Sequence, residues 1–461
     1  MTLDSLIEHA RNTCPQDFNY EWLGGFVRSI DVKDLNWHED LPEIDNPKDY
    51  ARNIRLLDPF EIVLLHWPPG VESAVHLHAG FWGYVLCLEG SIENIAYSFQ
   101  EGKLRVDSIV RGFPGGVLPE PDGTIHKIRN ASKSESLVTL HFYAPALDTL
   151  DGLQLFDLNT GDIKTCNENA PTASLDLDES NYKRIVRKAF VFESETESGG
   201  SHELVPILPK PSPSEINRLI SQYYNEQAEI YDAQDHVHST RRAYTAGIDR
   251  LIVQGISGHA NRQEVRKVLH VACGTGRRAL GIQEATGLGY EVHGMDMSEE
   301  MVQIARSRNL QVVHGQILDV EPPDPGQYDV IAFLYAYGHL SSRTQRKTML
   351  QRMHKWLKPG GLLIFDAFDI HDPHEWGGKS LELFETFQLG SQGYEKGDLF
   401  YRRKGGEGYA FLHYSSAPVL MQLLEEIGFE LERLERVGYN VAPGELVDEG
   451  GNVFLQVRKI H

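Results

Sequence analysis

The chain has 461 residues, more than one hydrophobic core normally holds, so two or three domains are expected. Hydrophobic residues make up 41% and aromatics 10%, which excludes wholesale disorder. The 44 Lys and Arg against 66 Asp and Glu leave a net charge of −22, which disfavours a partner held through a phosphate backbone.

The N-terminus carries acids and no apolar core of secretory type. No run approaches the roughly 20 apolar residues of a membrane span. Cys14, Cys87, Cys166 and Cys273 are far apart, with no C-x-x-C, which argues against a disulfide framework or a thiolate zinc site. The expectation is a cytoplasmic protein without nucleic-acid or membrane partners. Its oligomeric state is not legible.

Taken in chain order, residues 61–67, 84–97 and 137–143 alternate with period two between Gly and Pro clusters, which predicts an all-β barrel or sandwich. Residues 192–214 read as a change of composition, with acids, a Gly pair and prolines, the character of a linker. Beyond it, strand-like runs at 265–271, 328–334 and 361–365 alternate with helical periodicity at 299–308 and 343–357. That alternation predicts a parallel sheet with crossover helices. The expected boundaries are 1–195 for the first domain, 196–211 for a linker and 212–461 for the second domain.

In the first half, His76 and His78 are two apart, so on a strand their imidazoles share a face. Gly70-x5-His76-x-His78 and Pro121-x-Gly123-x2-His126-x3-Asn130 together resemble the two cupin motifs. Ordinary cupins offer a Glu five residues after the second His; here that position is Gly83. The expected metal ligands are therefore His76, His78 and His126, three neutral imidazoles without a carboxylate. Imidazole suits iron, and zinc or nickel stay open.

Thr139, His141 and Tyr143 alternate along one strand. They resemble the Ser-His-Tyr relay of the cysteine dioxygenase family, with Thr139 in the serine position. Tyr50-Ala51-Arg52-Asn53 resembles that family's Tyr-x-Arg-Asn segment, in which the Arg binds the substrate carboxylate. The resemblance spans about 49–145. It implies ferrous iron on the three histidines, Arg52 forked onto a carboxylate with Tyr50 beside it, and Tyr143 donating near the reacting group. His141 would orient Tyr143, and Thr139 would orient His141. Position 83 holds no Cys, so the thioether of animal members cannot form, and Cys87 reads as core. Arg rather than Gln at position 52 favours cysteine or a cysteine-like thiol. The implied reaction is oxidation of an amino thiol to a sulfinate by dioxygen, with thiol and amine both on the iron.

In the second half, residues 268–276 run from an apolar strand into a Gly-rich turn, and Asp296 follows about twenty residues later. That much fits a generic dinucleotide site. Residues 268–276, Asp296-x-Ser298-x-x-Met301, 315–319, Tyr328-Asp329-Val330 and 357–361 together resemble class I S-adenosylmethionine-dependent methyltransferases. The resemblance implies cofactor contacts from Cys273, Gly274, Thr275, Gly276, Asp296 and Met297. It implies Asp319 at the adenine, and Tyr223 and Tyr231 closing over the site. The family usually has an acid at the place of His270 and Gly at that of Ala272. Tyr337 and His339 read as solvated loop residues rather than lining of an acceptor pocket.

The combined expectation is an all-β cupin barrel followed by an α/β Rossmann-like methyltransferase domain. Its partners would be a small thiol, dioxygen and a methyl acceptor. Two other readings are a thiol dioxygenase with an S-adenosylmethionine-binding sensor domain, and a methyltransferase with a non-catalytic metal-binding cupin.

Overall fold

The computed structural model describes every residue except 194–201, 234–238, 405, 407, 440, 441, 443, 444 and 461. Its contacts divide the chain into two compact units: Met1–Pro211 with Glu385–Tyr394, and Ser212–Phe384 with Glu395–His461. Residues 385–394, inside the expected second domain, thus pack with the first unit. Among the described residues no helix is long and apolar enough to cross a membrane.

The first unit is cupin-like. Two helices, Leu3–Thr13 and Tyr20–Arg28, precede its strands. The strands are β1 (Ala51–Leu56), β2 (Glu61–Trp67), β3 (Val75–Leu77), β4 (Trp82–Glu89), β5 (Ile92–Gln100), β6 (Lys103–Gly112) and β7 (Val117–Glu120). They continue as β8 (Ile125–Asn130), β9 (Leu137–Ala144), β10 (Gln154–Asp157), β11 (Asp162–Cys166), β12 (Tyr182–Val186) and β13 (Val191–Glu193). One sheet runs β1-β2-β9-β4-β7, the other β12-β11-β10-β3-β8-β5-β6-β13. The single run expected at 84–97 is two strands, broken where Gly90 takes φ +81°. A Cβ there would stand 2.5 Å from the Ser136 carbonyl, so the break needs glycine.

Strand β9 shows how the pattern positions a site. Val138, Leu140, Phe142 and Ala144 join the core formed with the two helices, through Leu6, Leu23 and Phe26. Thr139, His141 and Tyr143 therefore face the opposite way. Part of the expected linker, 196–201, lies outside the described residues. The rest includes strands β14 (His202–Leu204) and β15 (Ile207–Leu208), and β15 pairs in parallel with β6. That part is folded rather than a free spacer.

The second unit is Rossmann-like. Its sheet uses β16 (Lys267–Val271), β17 (Glu291–Asp296), β18 (Gln311–His314), β19 (Tyr328–Phe333) and β20 (Leu357–Ala367). A hairpin, β21 (Asp398–Arg403) and β22 (Tyr409–His413), comes before β23 (Phe429–Val437) and β24 (Asn452–Lys459). The strand order is β18-β17-β16-β19-β20-β24-β23. The first five are parallel, and β24 and β23 are antiparallel. The apolar runs are continuous because both faces are covered. Val268, Val330, Leu362 and Ile364 serve one core, while Leu269, Ile331, Leu363 and Phe365 serve the other.

Candidate functional sites

In the first unit β3 pairs with β8 so that His76 lies opposite His126. His126 Nε2 is 3.2 Å from His76 Nε2 and 3.0 Å from His78 Nε2. His76 Nδ1 lies 2.9 Å from the Ala74 carbonyl, and His126 Nδ1 2.8 Å from Asn94 Oδ1. Both acceptors require N–H on Nδ1, so both Nε2 atoms present lone pairs. Two lone pairs facing each other at 3.2 Å make no hydrogen bond; a cation between them resolves the contact. Burial lowers the pKa of all three imidazoles, which keeps them in the neutral form that binds metal. The three nitrogens fit a divalent cation on these grounds. Asn130 is a staple rather than part of the site. Its amide donates to the carbonyls of Trp67, Pro68 and Glu135.

The relay on β9 is continuous. Tyr143 Oη donates to Glu120 Oε2 at 2.9 Å and also lies 2.8 Å from His141 Nδ1. A phenol has one proton, so His141 Nδ1–H donates to Tyr143. His141 Nε2 then accepts from the Thr139 hydroxyl at 2.8 Å, and Thr139 Oγ1 accepts from Trp67 Nε1 at 2.9 Å. Burial pushes the His141 pKa down to about 3, in keeping with the neutral ring that this proton order needs. Thr139→Val removes both partners at once and leaves Trp67 and His141 unpaired. The expected cost is about 1–3 kcal/mol of stability, read as a lower urea midpoint with an unchanged slope.

Glu120 is the residue that sequence reasoning missed. The sequence pointed to three imidazole ligands without a carboxylate, and it gave no sign of the acid that lies beside them. Glu120 is fully buried, with Oε2 3.7 Å from His78 Nε2 and Oε1 3.5 Å from His126 Nδ1. Burial raises its pKa to about 8, against the Tyr143 hydrogen bond, which lowers it. The missing signal was strand pairing: β4 and β7 place Glu120 opposite Gly83, and β4 and β9 place Tyr143 opposite the same glycine.

Arg52 is exposed and donates to the Pro171 carbonyl at 2.7 Å. Its charge also reaches Glu61 and Tyr50. The Tyr50 ring packs against Trp67 at 4.3 Å between centroids. Cys87 is buried and its thiol is pushed up to about 12, as a core residue's would be.

In the second unit β16 ends in a tight turn in which Ala272, Gly274 and Gly276 take φ of +56°, +54° and +74°. Asp296, at the end of β17, ties this turn down. Its Oδ2 accepts from Gly274 N at 2.7 Å and its Oδ1 from Ser298 N at 2.9 Å. Gly274, Asp296, Met297 and Tyr231 line one cavity. A Cβ on Gly274 would meet nothing closer than 3.9 Å, so the missing side chain leaves room for a ligand there. An adjoining cavity is lined by His270, Cys273, Thr275 and Arg278. The Thr275 hydroxyl donates to Asp232 at 2.7 Å. His270 is buried and its Nε2 has no partner. Burial, with Arg278 nearby, lowers its pKa to about 4, so it offers this cavity a neutral imidazole where the family has an acid. An orphaned polar atom beside an open turn fits a polar ligand end such as the amino-acid part of S-adenosylmethionine.

Four residues fall elsewhere than expected. Asp319 is exposed and lines a neighbouring open cavity with Asn217 and Gln316, while Ile317 and Leu318 line the cavity at Gly274. The short turn after β18 carries Asp319 out past those two apolar side chains. Tyr223 is buried against Tyr401, and its helix neighbour Tyr224 lines the cavity in its place, about 100° around the helix. Tyr337 is core rather than solvated, and His339 lines the cavity. His339 Nδ1–H donates to the Phe411 carbonyl at 2.6 Å, so its Nε2 accepts from the Tyr224 hydroxyl at 2.7 Å.

Comparison with known proteins finds a matching family profile within each half. Residues 43–154 match the family profile described as cysteine dioxygenase type I, and residues 268–361 match the one described as methyltransferase domain. Among curated proteins, a demethylmenaquinone methyltransferase of Geobacillus kaustophilus is 27% identical over 33% of this chain and 64% of its own length. One from Staphylococcus epidermidis is 31% identical over 23% of this chain and 44% of its own. A malonyl-[acyl-carrier protein] O-methyltransferase of Halalkalibacterium halodurans is 26% identical over 36% and 64%. The chain thus spans less than two thirds of the length of these relatives. A solved 1,6-didemethyltoxoflavin-N1-methyltransferase of Burkholderia thailandensis is 16% identical, with TM-score 0.39, covering 58% of this chain and 99% of that one. A possible histamine N-methyltransferase of Thermotoga maritima is 21% identical, with TM-score 0.36, covering 52% and 100%.

Proposed function

Because the chain joins a cysteine dioxygenase-type domain to a methyltransferase domain, we propose a two-part enzyme acting on small sulfur metabolites. The first unit oxidises a small cysteine-like thiol to its sulfinate; the second transfers a methyl group from S-adenosylmethionine to a related metabolite. The balance of the first reaction is one thiol and one dioxygen giving one sulfinate and one proton, with no reducing cosubstrate. The observation that carries it is the cluster of three neutral imidazoles, two of them with facing lone pairs, together with the Thr139–His141–Tyr143 relay.

His76, His78 and His126 would hold ferrous iron, which when bound takes up the thiolate and activates dioxygen. The chain's own part is positioning. Arg52 offers a guanidinium that matches a carboxylate two-pronged. Tyr143 is held by His141 and Glu120, so its hydroxyl stays in one orientation while the thiol is oxidised. Holding the reacting groups together replaces a collision with an intramolecular step. In the second unit, S-adenosylmethionine supplies an electrophilic methyl group. The turn at Gly274 and the Asp296 carboxylate would seat it, and little protein chemistry is needed beyond alignment.

Incubation with ferrous iron, cysteine and ¹⁸O₂ should give a sulfinate carrying two labelled oxygens, and a label on the donor methyl should appear in a second product. Absence of oxygen uptake across a panel of cysteine-like thiols would overturn the first half. Arg52→Ala should raise KM for cysteine about 10–100-fold, the worth of a charged hydrogen-bonded pair. Cysteamine, which has no carboxylate, should be unaffected. Equal losses for both thiols would remove Arg52 from the substrate.

A further inference from the structure

We propose that the methyl acceptor of the second unit is an uncharged molecule whose nucleophile is an N–H nitrogen, held through that hydrogen by Tyr224. The inference rests on the methyltransferase reading of this unit and deepens it, by naming the class of molecule that takes the methyl group.

The geometry starts at His339. It closes the short helix Tyr337–His339 after β19, and its Nδ1–H is committed to the Phe411 carbonyl of β22 at 2.6 Å. A carbonyl only accepts, so this bond fixes the tautomer and leaves Nε2 as an acceptor. The Tyr224 hydroxyl, on the helix Pro213–Gln227, lies 2.7 Å from Nε2 and donates its proton there. Tyr401 of β21 also hydrogen-bonds to Tyr224. With the Tyr224 proton already committed, Tyr401 is the donor in that pair. A phenol has one proton, so every partner of Tyr224 beyond His339 must donate to it. Burial keeps this order, lowering the His339 pKa to about 4 and so holding the ring neutral.

Tyr224 and His339 both line the cavity at Gly274 and Asp296. A molecule seated there beside the methyl donor meets a hydroxyl that takes a hydrogen bond and cannot give one. A nucleophile without a hydrogen has nothing to offer it.

Charge narrows the class. Among the described residues lining this cavity the sole charged side chain is that of Asp296, and no Lys or Arg joins it. A carboxylate or sulfinate would be buried there without a protein cation. The donor's own sulfonium charge is gone once the methyl has moved. The sulfinate made by the first unit is therefore a poor acceptor for the second.

The proton separates nitrogen from oxygen. In the transfer a lone pair of the acceptor forms the bond to carbon, and the carbon–sulfur bond breaks with its electron pair on sulfur. A hydroxyl must lose its proton as the methyl arrives, and the weakly basic His339 is a poor receiver for it. An N–H nitrogen keeps its proton through the transfer and sheds it to water afterwards. Tyr224 is then a catalytic residue that touches the nucleophile. His339 is a positioning residue that acts through Tyr224.

The test uses the full chain saturated with S-adenosylhomocysteine and four rings of one size: aniline, N,N-dimethylaniline, phenol and benzenesulfinate. Aniline should bind about 3–10-fold tighter than N,N-dimethylaniline, the worth of one neutral hydrogen bond, and benzenesulfinate should bind least. Tyr224→Phe should abolish the preference between the two anilines. His339→Leu, a second variant should the first fail to fold, should shift it about 3–10-fold towards N,N-dimethylaniline. The Tyr224 proton released in that variant can be given to a nitrogen without hydrogen, whereas a purely structural role would weaken both rings alike. With a labelled methyl donor in place of S-adenosylhomocysteine, label should pass to aniline and not to phenol. Equal binding of the two anilines, a preference unchanged in both variants, tightest binding of benzenesulfinate, or label on phenol or on neither ring overturns the proposal. If the unaltered chain binds no S-adenosylhomocysteine, the methyltransferase reading itself fails, an outcome separate from loss of the Tyr224 assignment alone.

Discussion

His126→Ala should cost more than about 100-fold in Fe(II) affinity, beyond the 10–100-fold that loss of a supporting group costs. Oxygen uptake should fall with it. His126 is the imidazole that both other histidines approach, at 3.2 and 3.0 Å, and it is fully buried. Its removal leaves His76 and His78 without their common neighbour, and two neutral imidazoles cannot enclose an ion. Folding should persist, because the ring is held by one side-chain bond to Asn94 and is neutral in the fold. Anaerobic metal titration checks the first part and circular dichroism the second. A variant that still holds one tightly bound iron would place the metal elsewhere.

Asp296→Ala should weaken binding of S-adenosylhomocysteine about 10–100-fold. The carboxylate accepts backbone N–H bonds from both Gly274 and Ser298, so it joins the turn after β16 to the helix Glu299–Ser307. Hydrogen bonds to a charged acceptor contribute about 1.5–3 kcal/mol each. Without them the Gly274 amide points at nothing, and the cavity loses both its shape and its acceptor. Calorimetric titration measures the affinity. The oxidation of thiol by the first unit should be unchanged, which separates a local effect from general unfolding. Unchanged binding would mean that the ligand needs neither the Asp296 carboxylate nor the turn it holds.

Much of this was legible because the relevant spacings are local. His76 and His78 share a face by the two-residue period of a strand, and Thr139, His141 and Tyr143 do so for the same reason. Both sets are brought together as the pattern implies. The turn at Gly274 and the acid at Asp296 follow from a strand, a turn and a second strand in order. Misplacement came where a residue's direction depended on one step of a helix or loop. Tyr223 and Tyr224 differ by about 100° around one helix, and the sequence does not say which of two adjacent tyrosines faces the cavity. Asp319 was expected at the adenine from the family resemblance, yet Ile317 and Leu318 line the cavity at Gly274 and Asp319 is exposed in the neighbouring one. His339, expected in solvent, is fixed by a carbonyl of β22, seventy-two residues away in the chain.

By itself the sequence determined two units of different class, three histidines with metal-ligand spacing, and a Gly-rich turn answered by an acid. Those are properties of short segments, set by the two-residue period of strands and by the φ angles that glycine permits. Only the tertiary structure decided the charge beside the histidines. Gly83 had implied that no carboxylate was available, and along the chain that inference is sound. Glu120 lies in no motif, thirty-seven residues further on. It reaches the site because β7 pairs antiparallel with β4 in a register set by the folded sheet, and no local pattern in the chain encodes that register.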